Sequence, residues 1–105
     1  MTQLAWLDFS GTQVTDAGLE YLGGMRNLSY LGLSQTRVTD NGLAHLRGLT
    51  NLVVLVLAKT TVTDAGLQQL QRLTQLGELD LGATAVTDAG VAEFQKALPN
   101  VEISR

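Results

Sequence analysis

The chain repeats itself every 24 residues, and no other feature limits its possible folds as tightly. Rows that begin at Leu4, Leu28, Leu52 and Leu76 share the pattern L-x-x-L-x-L-x-x-T-x-V-T-D-[AN]-G-[LV]-x-x-[LF]. The last row is two residues short and runs into Leu98-Pro-Asn-Val101-Glu-Ile103, which restarts the L-x-x-L-x-L opening. The 20 leucines of the 105 residues follow this period, so the apolar core is periodic too. A short fixed period means stacked units, each unable to bury its own apolar face. The sequence divides into repeats 4–27, 28–51, 52–75 and 76–97 with a terminal strand 98–103, all within one domain, 1–105.

Apolar spacing changes within each row. In the opening it alternates, through Leu7 and Phe9, Leu31 and Leu33, Leu55 and Leu57, Leu79 and Leu81, which puts one face of a short strand inward. After the Thr-Asp pair the spacing becomes three, through Leu19, Leu22 and Met25, then Leu43, Leu46 and Leu49, then Leu67, Leu70 and Leu73. That stripe fits a short helix. Each row is therefore strand, turn and helix. Stacked rows align their strands into a parallel sheet with neighbours about 4.8 Å apart.

These motifs resemble the bacterial 24-residue leucine-rich repeats with the T-D-x-G-L signature. They are similar to the cysteine-containing repeats of F-box substrate adaptors, with Thr12, Thr36, Thr60 and Thr84 where that family has Cys or Asn. The resemblance covers residues 4 to 103. It implies an α/β leucine-rich repeat solenoid, a right-handed arc with a parallel sheet on its concave face and short helices on its convex face. It also implies a scaffold for protein binding. The upstream F-box segment of those adaptors is not in this sequence, and no ubiquitin-ligase role carries over.

The recurring polar positions read as scaffold. Thr15/Asp16 and their equivalents in the later rows are placed to cap helix N-termini. A calcium role for Asp16, Asp40, Asp64 and Asp88 lacks the Gly- and Asp-rich nonapeptide of calcium-binding solenoids. Gly18, Gly42, Gly66 and Gly90 sit where glycine weakens a helix, which suggests a close backbone approach between layers. The Thr12 ladder is expected to bond backbone groups of the adjacent coil. Arg26, Arg47, Arg72 and Lys96 fall near helix ends and suit helix C-termini. His45 aligns with Tyr21, Gln69 and Glu93 on the outward helix side, as a surface residue.

Composition removes several other functions. With no cysteine and one histidine there is no disulfide framework, zinc knuckle or His-rich metal site. Ten acidic residues against seven basic, a net charge of -3, argue against a nucleic-acid partner. The longest apolar run, Leu52 to Ala58, is too short for a bilayer. Met1-Thr2-Gln3 opens no secretory leader, and together with the missing cysteines this favours a cytoplasmic location. No cofactor is expected.

Function is expected where the rows differ. The strand positions between the buried ones form three columns on the concave face, a surface through which repeat scaffolds bind. The first holds Trp6, Tyr30, Val54, Glu78 and Asn100; the second, Asp8, Gly32, Val56, Asp80 and Glu102; the third, Ser10, Ser34, Ala58, Gly82 and Ser104. Trp6, Tyr30, Val54 and Val56 make an apolar, partly aromatic patch of the kind that anchors partners. Glu78, Asp80 and Glu102 are expected to gather within about 7 Å, with Glu102 beside Asp80. A basic protein or peptide is their complement, because calcium normally needs six or more oxygens.

A protein or peptide is thus the expected partner, held by Trp6, Asp8, Tyr30, Val54, Val56, Glu78, Asp80 and Glu102. About 15 concave residues fall short of the 20 to 30 per side of a standard interface, so binding by this chain alone is expected to be weak. Enzyme chemistry is not expected. Asp8 and Asp80 lie roughly 14 Å apart, too far for a glycosidase pair, and no nucleophile elbow or phosphate loop occurs. The two ends carry different messages. Pro99 and the polar Glu102-Ile-Ser-Arg tail look like a finished end. At the other end Leu7, Phe9, Leu19 and Leu22 are expected to face solvent, a second copy or a longer protein, since a capping unit is missing there.

Overall fold

A computed structural model describes residues 5–105; Met1-Thr2-Gln3, Leu4 and the expectations placed on them lie outside the described residues. Five strands, β1 (Ala5–Asp8), β2 (Leu28–Gly32), β3 (Val54–Val56), β4 (Glu78–Asp80) and β5 (Glu102–Ser104), form one parallel sheet in sequence order. Between them run four helices, α1 (Asp16–Leu19), α2 (Asp40–Leu43), α3 (Asp64–Leu67) and α4 (Asp88–Ala97). Each of the first three passes directly into a 3₁₀ turn, at Glu20–Leu22, Ala44–Leu46 and Gln68–Leu70. The apolar spacing of three matches that tighter winding, whose period is three residues. Strand alternation and this stripe meet in one core between sheet and helices. There Leu31, Leu33, Leu43, Leu46, Leu55 and Leu57 are completely buried.

Parallel register steps by 24 residues everywhere except at Ala5, which pairs with Leu28 before a shift, and at the last strand this register overturns the sequence reading. Glu78 pairs with Glu102, Leu79 with Ile103 and Asp80 with Ser104. Glu102 therefore belongs to the first column beside Glu78, Ser104 moves to the second, and Asn100 leaves the strands. Leu98-x-x-Val101-x-Ile103 can be read in two phases, and the fourth helix decides between them. Being continuous, α4 runs to Ala97 and uses Leu98 as its C-cap, with the Leu98 N–H donating to the Phe94 carbonyl at 2.9 Å. Leu98 thus closes the helix, and the chain turns at Pro99-Asn100 before the strand begins.

The Thr-Asp pairs also work differently from expectation. Thr39, Thr63 and Thr87 do cap their helices, accepting from the N–H of Asn41, Ala65 and Gly90. The aspartates instead reach the next coil. Asp16 Oδ1 accepts the Thr39 N–H at 2.7 Å, Asp40 Oδ1 the Thr63 N–H at 2.7 Å, and Asp64 Oδ1 the Thr87 N–H at 2.8 Å. The other oxygen of each accepts the same threonine's hydroxyl. The recurring glycine follows from this clamp. A Cβ at Gly42, Gly66 or Gly90 would collide with the carboxylate of the preceding coil, so the close neighbour is a side chain rather than backbone.

The threonine ladder stays within its own coil. The hydroxyls of Thr12, Thr36, Thr60 and Thr84 donate to the carbonyls of Phe9, Leu33, Leu57 and Leu81, three residues back, at 2.6 to 2.7 Å. A short hydroxyl reaches that carbonyl more readily than one 4.8 Å away in the next strand. Of the basic residues, Lys96 lies in the last turn of α4 and pairs with Glu93 at 3.5 Å. Arg47 follows the second 3₁₀ turn. His45 and Tyr21 are exposed on the helix side. At the N-terminal end Leu7 and Phe9 are part-exposed as expected, but Leu19 and Leu22 are buried. Leu19 leans under the second coil, its Cδ1 lying against Gly42.

Candidate functional site

Because strand side chains alternate, two rows cross the sheet on its outer face. Trp6, Tyr30, Val54, Glu78 and Glu102 stand side by side on β1 to β5, and Asp8, Gly32, Val56, Asp80 and Ser104 form the row beside them. Four strand spacings make each row about 19 Å long. The first row grades from aromatic through aliphatic to acidic, and the second carries a carboxylate on either side of Val56.

At the aromatic end Trp6 and Tyr30 stack with ring centroids 4.4 Å apart and planes 15° from parallel. Trp6 is nonetheless 62% exposed. Tyr30, Val54 and Val56 are half-buried. Beside the stack, the Asp8 carboxylate folds over Gly32, where a Cβ would come within 2.5 Å of its Oδ1. The Ser10 N–H donates to that same oxygen at 2.9 Å. Hydrogen bonds from the Ser10 hydroxyl and N–H hold the Asp8 carboxyl below its ordinary value. Asp80 repeats the arrangement, accepting the Gly82 N–H at 3.0 Å.

At the other end Glu78 and Glu102 are exposed on neighbouring strands, and among the described residues neither enters an ion pair. A shallow depression of about 150 Å³ lies over the aliphatic and acidic part of the two rows, lined by Val54, Val56, Glu78, Asp80, Glu102 and Ser104. The structure thus brings all eight expected residues onto one face. It moves Glu102 one row over, so the carboxylate pair is Glu78 with Glu102. Among the described residues no three acidic or metal-ligating side chains are grouped to hold a metal ion.

A larger groove, about 490 Å³, lies on the helix side between α3 and α4 and went unread in the sequence. Leu67, Gln68, Gln71, Ala89, Glu93 and Phe94 line it. There α4 is a continuous ten-residue helix, while α3 passes into a 3₁₀ turn. The sequence signal was the two-residue deficit of the last row together with Phe94 in a leucine position.

The fold is that of a leucine-rich repeat solenoid, and comparison with known proteins agrees. The family model described as Leucine Rich repeat matches residues 7–23. Internalin C2 from Listeria monocytogenes is similar over 92% of this chain, with 32% sequence identity and a TM-score of 0.74. A second Listeria internalin (17% identity, TM-score 0.61) covers 96% of the chain. A leucine-rich repeat protein of Leptospira interrogans (17%, TM-score 0.51) covers 97%. The chain spans only 39%, 34% and 37% of the length of those three proteins. No curated protein matches it. The chain has the leucine-rich repeat fold. That fold generally serves protein–protein interaction and is typically not enzymatic.

Proposed function

We propose that the chain is a binding module that holds an extended protein segment or peptide across its concave sheet face. The observation that carries this reading is the row Trp6, Tyr30, Val54, Glu78, Glu102. A stacked aromatic pair with its Trp6 ring left in solvent is a ready anchor, since burying that ring removes a large apolar area from water. Two carboxylates on facing positions of adjacent strands repel each other, and a cation relieves that repulsion. The complementary ligand carries an apolar or aromatic side chain at one end and lysine or arginine at the other. About six extended residues span the row. The T-D-x-G-L pattern further suggests the bacterial 24-residue subtype of the fold.

The test is capture from lysate by wild type beside Val56→Glu and Trp6→Ala, with melting curves showing that both variants fold. A partner held by wild type and released by both variants supports the reading. A partner indifferent to both changes sinks it. Raising the salt concentration is expected to weaken binding through Glu78 and Glu102 more than through Trp6.

A further inference from the structure

Among the described residues, three of the four coils receive a carboxylate from the coil before them, and the first receives none. Thr15 stands where Thr39, Thr63 and Thr87 stand. Its side chain makes no cap bond, and among the described residues no hydrogen bond engages its N–H or its hydroxyl. Gly18 lacks such a cover among the described residues: a Cβ there lies 3.7 Å from Val14, whereas Gly42, Gly66 and Gly90 are each covered by an aspartate. The apolar part of the same face is incomplete as well. Leu7, Phe9, Val14 and Met25 are partly exposed, while their equivalents Leu31, Leu33, Val38 and Leu49 are fully buried.

At the opposite end Arg105 engages acceptors of the fourth coil. One guanidinium nitrogen of Arg105 donates to Asp88, the aspartate of the fourth coil. The other donates to the Val86 carbonyl at 2.8 Å. Inside the stack the equivalent carbonyls of Val14 and Val62 accept the next coil's Arg37 and Ala85 N–H groups, at 3.0 and 3.3 Å. Arg105 therefore supplies both kinds of donor that a following coil would bring. Among the described residues, one end has these acceptors engaged, and the other has donors and apolar surface left open.

From this asymmetry we infer that the N-terminal face, with Leu7, Phe9, Val14, Thr15, Gly18 and Met25, is a docking face for a further leucine-rich coil of the same Thr-Asp type. The aspartate of that coil takes the Thr15 N–H and hydroxyl and lies over Gly18. Continuity with three like interfaces inside the molecule identifies the occupant. A second copy fits less well, because the aspartate it offers, Asp88, is already engaged by Arg105. An unrelated apolar partner covers Leu7 and Phe9 but brings no carboxylate to Thr15. This inference is independent of the concave-face reading and concerns the end of the stack.

The experiment prefixes the chain with a copy of residues 52–75 joined at Leu4, which keeps the 24-residue spacing. The added coil is expected to raise the melting midpoint and to slow hydrogen exchange at the Thr15 amide by at least about tenfold. Asp64→Ala in the added copy removes the extra protection at Thr15. Gly18→Ala is tolerated in the unmodified chain yet cancels the gain in the prefixed one. Unchanged exchange at Thr15, or equal protection from the Asp64→Ala copy, overturns the inference. Self-association of the unmodified chain that is lost in both Thr15→Val and Asp88→Ala gives the face to a second copy, and also overturns it.

Discussion

Asp64 and Thr87 are 23 residues apart in the chain and meet across the boundary between the third and fourth coils. Oδ1 accepts the threonine N–H at 2.8 Å and Oδ2 its hydroxyl at 2.5 Å. The same hydroxyl accepts the Gly90 N–H at 3.1 Å, so one threonine joins the carboxylate of the coil before it to the helix it caps. The arrangement recurs at Asp16–Thr39 and Asp40–Thr63. Coil order is thereby held by polar contacts as well as by apolar stacking.

The clamp makes glycine necessary one turn into each receiving helix. At Gly66 a Cβ would collide with Asp40 Oδ1 and come within 2.9 Å of Leu43 Cδ1. Gly66→Ala is expected to destabilise the protein by about 1–3 kcal/mol, through crowding and through Thr63 donors left without their acceptor. Gly18→Ala, with open space before it, is expected to be neutral or to stabilise by up to about 1 kcal/mol through helix propensity. Urea unfolding of the two variants measures the contrast. Equal effects would mean that the carboxylate does not exclude the side chain.

Acid should weaken this contact in a defined direction. Hydrogen bonds from the Thr87 hydroxyl and N–H, with a smaller contribution from Arg105, hold the Asp64 carboxyl below 3.8, its ordinary value. A depressed carboxyl contributes its full stabilisation above the unfolded value and loses it as pH falls through the lower folded one. The stability difference between wild type and Asp64→Asn is therefore expected to be constant well above pH 3.8 and to narrow below it. Urea midpoints over a pH series give this directly. A gap that widens into acid would contradict the assignment.

The turn after each strand carries left-handed backbone at the same place in every coil. Gly11 has φ 75° there, but Gln35, Lys59 and Ala83 have φ of 55°, 60° and 56°. An L-residue in that region costs about 1–2 kcal/mol, against about 0.5–1 kcal/mol of added chain entropy for glycine. Ala83→Gly is accordingly expected to stabilise by about 0.5–1 kcal/mol, seen as a higher melting midpoint. A lower midpoint would mean that the Ala83 methyl group contributes packing that outweighs the strain.

Most of the fold was legible because the signal was local and stated four times. Leu31/Leu33 and Leu55/Leu57 alternate as strand residues must, and Leu43, Leu46 and Leu49 recur at the spacing that the 3₁₀ turns use. The candidate face was legible for the same reason, since alternate positions of a strand project to one side. The last strand was not. Leu98, Val101 and Ile103 satisfy the opening pattern in one phase, and the structure uses another because α4 absorbs Leu98.

By itself the sequence determined the period, the strand and helix within it, and which side chains face inward. These follow from backbone geometry and apolar burial, which act over a few residues. Only the tertiary structure decided what lies across each coil boundary. Asp64 on Thr87, Glu102 beside Glu78, Trp6 stacked on Tyr30 and Arg105 on Asp88 are all contacts between groups 17 to 24 residues apart. A carboxylate next to a helix start has donors both in its own coil and in the neighbouring one. Which it takes depends on how closely the coils stack, and that distance is set by the assembled core.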